Sequence, residues 1–251
     1  CINSNTGRRQ DGNSDPSVVL SDLDVGNVYL QGWLSVETTN DDDFIGVVWG
    51  WQDPRKHYLM RWKQRSQNID WLLRGCGSAE AGIAVLRVDG PASEPATLTD
   101  RGSYLDTDYV VDCAVHWSTE RSRSGTLGGS STILLSPEDP GAFTQGWRDR
   151  ITYRFDIYYT PTKTKFIIYE DDPADVGPEP IKLTEFVITD TTFPEGGFGF
   201  YTFSQPKVYF IDLSMASLSD FRAIPGPTRS IVNGEATTLE GEAELAVPPY
   251  D

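Results

Sequence analysis

Apolar and aromatic residues along this chain fall into short runs separated by Gly, Pro, Asp and Asn, and no segment keeps a 3.6-residue apolar period over three turns. The runs predict strands at residues 28–36, 44–51, 58–62, 83–88, 109–117, 132–135, 151–159, 165–170, 186–189, 198–203 and 208–215. In 151–159, Ile151, Tyr153, Phe155, Ile157 and Tyr159 share one face, and Thr152, Arg154, Asp156 and Tyr158 the other. The TPTKT turn that follows predicts a hairpin with 165–170. The run FIGVVWGW at 44–51 lacks alternation and reads as a strand buried on both faces. In KHYLMRWK at 56–63, alternation sets Tyr58, Met60 and Trp62 against His57, Leu59, Arg61 and Lys63, a strand with one buried face. Strands at this spacing predict an all-β, two-sheet antiparallel domain.

Three stretches depart from that pattern. Residues 1–17 are polar and read as an irregular N-terminal lead-in to a sandwich at 18–222. Inserts at 89–107 and 118–131 read as surface loops. From residue 223 onward one aromatic, several Pro and Gly and scattered acids mark an extended tail. Within it, 230–232 and 244–247 have the length and character to add a strand to an exposed sheet edge, on the domain itself or on a neighbouring subunit.

Composition narrows the function. At 251 residues and 38% hydrophobic, with 7 Trp, 11 Tyr and 11 Phe, the chain has the material for one large core and is not disordered as a whole. A formal charge of −16, from 37 acidic against 21 basic residues, argues against nucleic acid and for cations or basic partners. No apolar run approaches the roughly 20 residues of a membrane span. Two His, with no G-x-S-x-G or H-E-x-x-H, and no paired acids within an aromatic strand, point away from hydrolases, so the expectation is a protein without enzymatic activity.

The three cysteines stand at positions 1, 76 and 113. In an oxidising compartment Cys76 and Cys113 are expected to form a disulfide, the alternative being two buried thiols. Zinc is disfavoured, because there is no CxxC and neither His57 nor His116 has a neighbouring ligand. Cys1 is compatible with lipid modification or with pairing to another chain.

The sharpest chemistry lies at Asp41, Asp42 and Asp43, at the mouth of a strand. Three adjacent carboxylates repel one another unless neutralised, and oxygen ligands of this kind suit a hard divalent ion, calcium above all. The competing reading is a solvated turn. Asp22 and Asp24, alternating in SDLD, are weaker metal ligands. A second cluster, Glu170, Asp171, Asp172 and Asp175, reads first as a solvated hairpin exit and second as a cation site. Most Trp residues in so aromatic a sandwich are core; Trp71 and Trp147, each beside turn residues, are expected to be exposed and able to stack on a sugar or other ligand.

One stretch also carries a family resemblance. The triple Asp, Phe44, Gly46, the G-W-Q of Gly50 to Gln52, Tyr58 and the W-K-Q of Trp62 to Gln64 resemble the C-terminal domain of thrombospondins. Further matches follow in order: NSDP at Asn13 to Pro16, GW-D at Gly146 to Asp149, TYRF at Thr152 to Phe155, YE at Tyr169 and Glu170, GG-G at Gly196 to Gly199, and FSQ at Phe203 to Gln205. The resemblance implies an L-type-lectin-like jelly-roll sandwich and bound Ca2+, with Asp15 joining Asp41, Asp42 and Asp43. It further implies a secreted or cell-surface module with an adhesive or scaffolding role in an extracellular matrix. Homo-oligomers or filaments joined through the terminal segments are the expected assemblies, with a glycan or cell-surface protein as further partner. The alternative is a calcium-dependent carbohydrate-binding lectin.

Overall fold

The computed structural model describes residues 8–10, 16–68, 77–90, 117, 119, 131–171 and 179–218. Its strands are β1 (Arg8–Gln10), β2 (Ser17–Val25), β3 (Val28–Val36), β4 (Phe44–Asp53), β5 (Lys56–Lys63), β6 (Gln67–Asn68) and β7 (Ser78–Ala79). There follow β8 (Gly82–Asp89), β9 (Ser131–Leu135), β10 (Thr152–Thr160), β11 (Lys163–Glu170), β12 (Ile181–Ile188), β13 (Gly196–Phe203) and β14 (Val208–Ser217). They build two six-stranded sheets, one in the order β1-β14-β3-β10-β11-β12 and the other β2-β13-β4-β5-β8-β9, with β6-β7 a separate small ribbon. Every pairing is antiparallel. This is the two-sheet antiparallel domain that the strand spacing predicts, in the jelly-roll form that the resemblance implies.

The core lies between the sheets because each strand's apolar parity points there. Leu30, Leu34, Tyr153, Phe155, Ile157, Phe166 and Ile168 of the first sheet meet Ile45, Val47, Trp49, Tyr58, Met60, Trp62, Phe198 and Phe200 of the second. The predicted hairpin forms, with Thr160 opposite Lys163 across the turn.

Strand β12 begins at Ile181, ahead of the expected 186–189, and the expected strand at 109–117 lies outside the described residues except for Trp117. Three further elements differ from expectation. The lead-in is not wholly irregular, since β1 pairs with β14. Strand β2 spans the SDLD motif, whose alternating acids hid it: it is an edge strand, paired only with β13, and an edge tolerates outward charge. Strand β5 is buried on both faces, not one, with His57, Leu59, Arg61 and Lys63 at 4, 0, 0 and 0% exposure. A second apolar layer of Phe44, Val48, Leu59, Val88, Tyr201 and Trp117 covers that side of the sheet. Burial there lowers the Arg61 pKa to about 10, with Tyr201 opposing the shift.

The outer side of the first sheet carries a polar network. Asp156 accepts hydrogen bonds from Tyr29 Oη (3.2 Å) and Gln31 Nε2 (3.1 Å) and pairs with Arg154 Nε at 3.3 Å. Burial nonetheless raises its pKa, against the pull of Arg154. Arg154 lies 4.2 Å from the centroid of Tyr169 and reaches Asp171, which also accepts from Trp33 Nε1. Glu170 pairs with Arg148. Both described members of the second acidic cluster are therefore committed to arginines; Asp172 and Asp175 lie outside the described residues.

At one end of the sandwich a clamp ties the sheets together. Tyr58 donates to Asp190 Oδ1 (2.6 Å), Arg87 Nη1 meets Asp190 Oδ2 (2.5 Å) and Thr192 Oγ1 (3.1 Å), and Tyr159 donates to the Phe193 carbonyl (2.6 Å). Burial works to raise the Asp190 pKa, yet the donors from Tyr58 and Thr192 and the charge of Arg87 hold it below the usual carboxylate value. Among the described residues no helix is long and apolar enough to cross a membrane. Cys1, Cys76, Cys113, Trp71, Asp15, His116 and the tail lie outside the described residues.

Candidate metal centre

Asp41, Asp42 and Asp43 occupy the link between β3 and β4 at the end of the sandwich opposite the clamp. Ligand oxygens of all three lie within 4.8 Å of one another, each residue half-buried. The loop is shaped partly by itself: Asp42 N donates to Asp41 Oδ1 (3.1 Å) and Asn40 N to Thr38 Oγ1 (3.2 Å), local bonds that Asx and Thr side chains make readily.

Distant segments do the rest. Gln205, fully buried after β13, accepts from Asp43 N through Oε1 at 2.9 Å. Trp147 Nε1 donates to the Asp43 carbonyl at 3.1 Å. Gln64 N donates to the Asp42 carbonyl at 3.3 Å, and Gln64 Nε2 to Asp149 Oδ1 at 2.9 Å. Trp62 Nε1 in turn donates to the Gln145 carbonyl (2.9 Å), so residues 145–149 strap the end of β5 to the acidic loop.

Inside this frame sits Lys63. It faces Phe44 in the β4–β5 register, which brings its head to the triad. Nζ donates to Asp43 Oδ1 (3.0 Å), the Asp42 carbonyl (3.2 Å) and Gln67 Oε1 (3.1 Å), and stands 3.7 Å from Asp42 Oδ1. It also lies 4.9 Å from the Phe44 ring centroid and 4.7 Å from that of Trp117. A fully buried ammonium needs this density of partners. The donor set is all hard oxygen, held close by four segments, and fits a calcium-sized cation: three carboxylates and one ammonium leave two negative charges.

The structure brings Asp41, Asp42 and Asp43 together, whereas the weaker candidates Asp22 and Asp24 lie elsewhere; Asp15, expected beside the triad, is outside the described residues. Asp24 is exposed and pairs with Gly197, level with Trp51, whereas Asp43 adjoins Phe44. Seven residues of extended strand, about 20 Å, separate the two levels. Asp22, two residues before Asp24 in the same strand, belongs to that distant half of the sheet. Trp147 is corrected as well: at 1% exposure it offers no face to a sugar, because its indole fills the core and its N–H is used on the loop. The holders Lys63, Trp147 and Gln205 were not foreseen. All three stand in the matched motifs W-K-Q, GW-D and FSQ, which carry no assignment to the loop, and alternation places Lys63 in solvent.

A family model for the thrombospondin C-terminal region matches residues 3–123. Thrombospondin-2 of Gallus gallus is 30% identical over 209 residues, 81% of this chain and 15% of that protein. Cartilage oligomeric matrix protein of Bos taurus is 28% identical over 205 residues, 80% of this chain and 23% of that protein. The chain thus spans less than a quarter of the length of these curated relatives. Among solved structures, the exoplasmic/lumenal domain of VIP36 aligns with 90% of this chain and 86% of its own at TM-score 0.47 and 10% identity. Carbohydrate binding module CBM66 from Bacillus subtilis aligns with 84% and 92%, at TM-score 0.46 and 10% identity. The ordered motifs, the family match over residues 3–123 and the thrombospondin relatives agree: this chain is similar to the thrombospondin C-terminal region.

Proposed function

We propose that this chain is a secreted, non-enzymatic module that binds calcium at Asp41, Asp42 and Asp43 and serves adhesion or scaffolding in an extracellular matrix. The observation that carries the reading is the convergence of three carboxylates within 4.8 Å on a loop tied to β5, to residues 145–149 and to Gln205. An ion bridging those carboxylates relieves their repulsion only in the folded state, so its binding energy becomes folding energy. With calcium at about a hundredfold excess over its dissociation constant, the unfolding temperature is expected to rise by about 5 to 10 °C over a chelated sample. Differential scanning calorimetry reads this directly, and Asp42→Asn should shrink the rise. An unfolding temperature indifferent to calcium rejects the reading.

Assembly belongs to the same proposal. Among the described residues β12 and β2 are edge strands of the two sheets and carry exposed apolar side chains, Ile181 and Val187 on β12 and Val19 and Leu20 on β2. Edges of that kind accept an added strand, and the tail supplies sequences suited to it at 230–232 and 244–247. Deleting residues 224–251 should leave a folded domain that sediments as a monomer; polymers of the truncated protein would rule the tail out as connector. The lectin alternative loses Trp147 as a stacking surface and is separated from this reading by a glycan array probed with and without calcium.

A further inference from the structure

Lys63 presents an unusual arrangement for an ion loop: a fully buried cation already sits among the carboxylates. Its Nζ lies against the rings of Phe44 and Trp117 and is held by Asp43 Oδ1, the Asp42 carbonyl and Gln67 Oε1. We propose that Lys63 is a resident counter-ion that sets the divalent-ion affinity of the loop, holding the triad together when calcium is scarce and opposing calcium when it binds. The inference rests on the calcium reading above and adds its regulation.

The argument is one of charge and distance. Three carboxylates gathered within 4.8 Å repel strongly at partial burial, and without a cation the loop would open. Lys63 Nζ lies 3.0 Å from Asp43 Oδ1 and 3.7 Å from Asp42 Oδ1, so it removes part of that repulsion in the ion-free protein. The same placement penalises a divalent ion. Calcium bonds oxygen at about 2.4 Å, so an ion ligated by either of those oxygens sits within about 6 Å of Nζ. A double and a single positive charge at that distance repel enough, even at the dielectric of water, to weaken binding by about tenfold. Lys63 thus trades tight binding for a loop that stays formed. Phe44 and Trp117 help to keep the ammonium in place, since their ring faces attract a cation at this distance.

Calcium titration calorimetry on the full chain tests this with the metal alone as probe. Lys63→Met keeps the stem volume and removes the charge. The expected result is at least about tenfold tighter calcium binding, together with a lower unfolding temperature in chelator and a larger rise on adding calcium. Folding of Lys63→Met only in calcium counts as the same result in stronger form. Where Lys63→Met does not fold at all, the comparison of Asp43→Asn with the double variant Lys63→Met/Asp43→Asn decides. The double variant removes the pair and leaves the net charge of the loop unchanged, so it should bind calcium about tenfold more tightly than Asp43→Asn. Equal affinity of those two, or a Lys63→Met protein that binds no more tightly than the unaltered one, overturns the inference while leaving the calcium site standing. Absence of calcium binding by the unaltered protein and by every variant overturns both.

Discussion

Replacing Gly146 by alanine should destabilise the sandwich by about 3 kcal/mol, seen as a large drop in the urea midpoint with the slope unchanged. A Cβ at this position would lie 1.8 Å from the Gln64 carbonyl oxygen and 2.4 Å from its carbon. Both are backbone atoms of the segment leaving β5, fixed on one side by the Gln64 N–H to the Asp42 carbonyl and on the other by the Gln64 amide to Asp149. Neither neighbour can yield without opening the acidic loop, so the calcium binding proposed for that loop should weaken along with stability. Gly141→Ala, in the same connection between β9 and β10, is the control. Its φ of +78° disfavours alanine, but nothing lies within 4 Å, so only backbone strain of about 1 kcal/mol is expected. Equal losses at the two positions would show that the close approach at Gly146 is not what fixes the strap.

The second large effect is in acid. His57 is buried, stacks on Trp51 with centroids 4.5 Å apart, and holds Nδ1 3.3 Å from the Asp53 carbonyl. Burial lowers its pKa from 6.5 to about 4, with the Asp53 carbonyl and charge opposing the shift. The folded state therefore binds this proton less readily than the unfolded chain. The stabilisation is complete above pH 6.5 and is lost as the pH falls from 6.5 towards 4, amounting to about 3 kcal/mol over that window. Asp156, whose pKa burial raises, contributes in the opposite direction at the acid end, because its folded carboxyl takes up a proton more readily than the unfolded one. Urea unfolding at pH 7 and pH 4.5 measures the net slope, and His57→Gln should flatten it. A His57→Gln protein with the same acid sensitivity as the parent would place the titrating group elsewhere.

Much of the fold was legible because period-two alternation is written into the central strands. Tyr153, Phe155, Ile157 and Tyr159 point inward as the pattern demands, and the TPTKT turn sets the hairpin register. Strand β2 was not legible, since Asp22 and Asp24 interrupt its apolar run and only pairing with β13 makes it a strand. Burial of the second face of β5 was hidden for another reason. His57, Arg61 and Lys63 read as solvent-facing by residue type, and a local pattern carries no record of the layer that Trp117 and Tyr201 lay over them. The candidate site divides in the same way. The contiguous acids stand out in sequence, whereas Lys63, Gln205 and Trp147 reach them only through sheet register and the strap, contacts up to 162 residues apart. Those long-range holders determine whether the loop is shaped or merely acidic.

Strand β5 joins the clamp to the loop: Tyr58 near one end grips Asp190, and Lys63 at the other grips Asp43. Between them it is hydrogen-bonded on both sides, to β4 and to β8. Tension between the two poles therefore runs along the axis of an interior strand and must shear two ladders at once, a route far stiffer than unzipping an edge. A domain wired in this way transmits pull from end to end while its outer strands stay unloaded and available to neighbours.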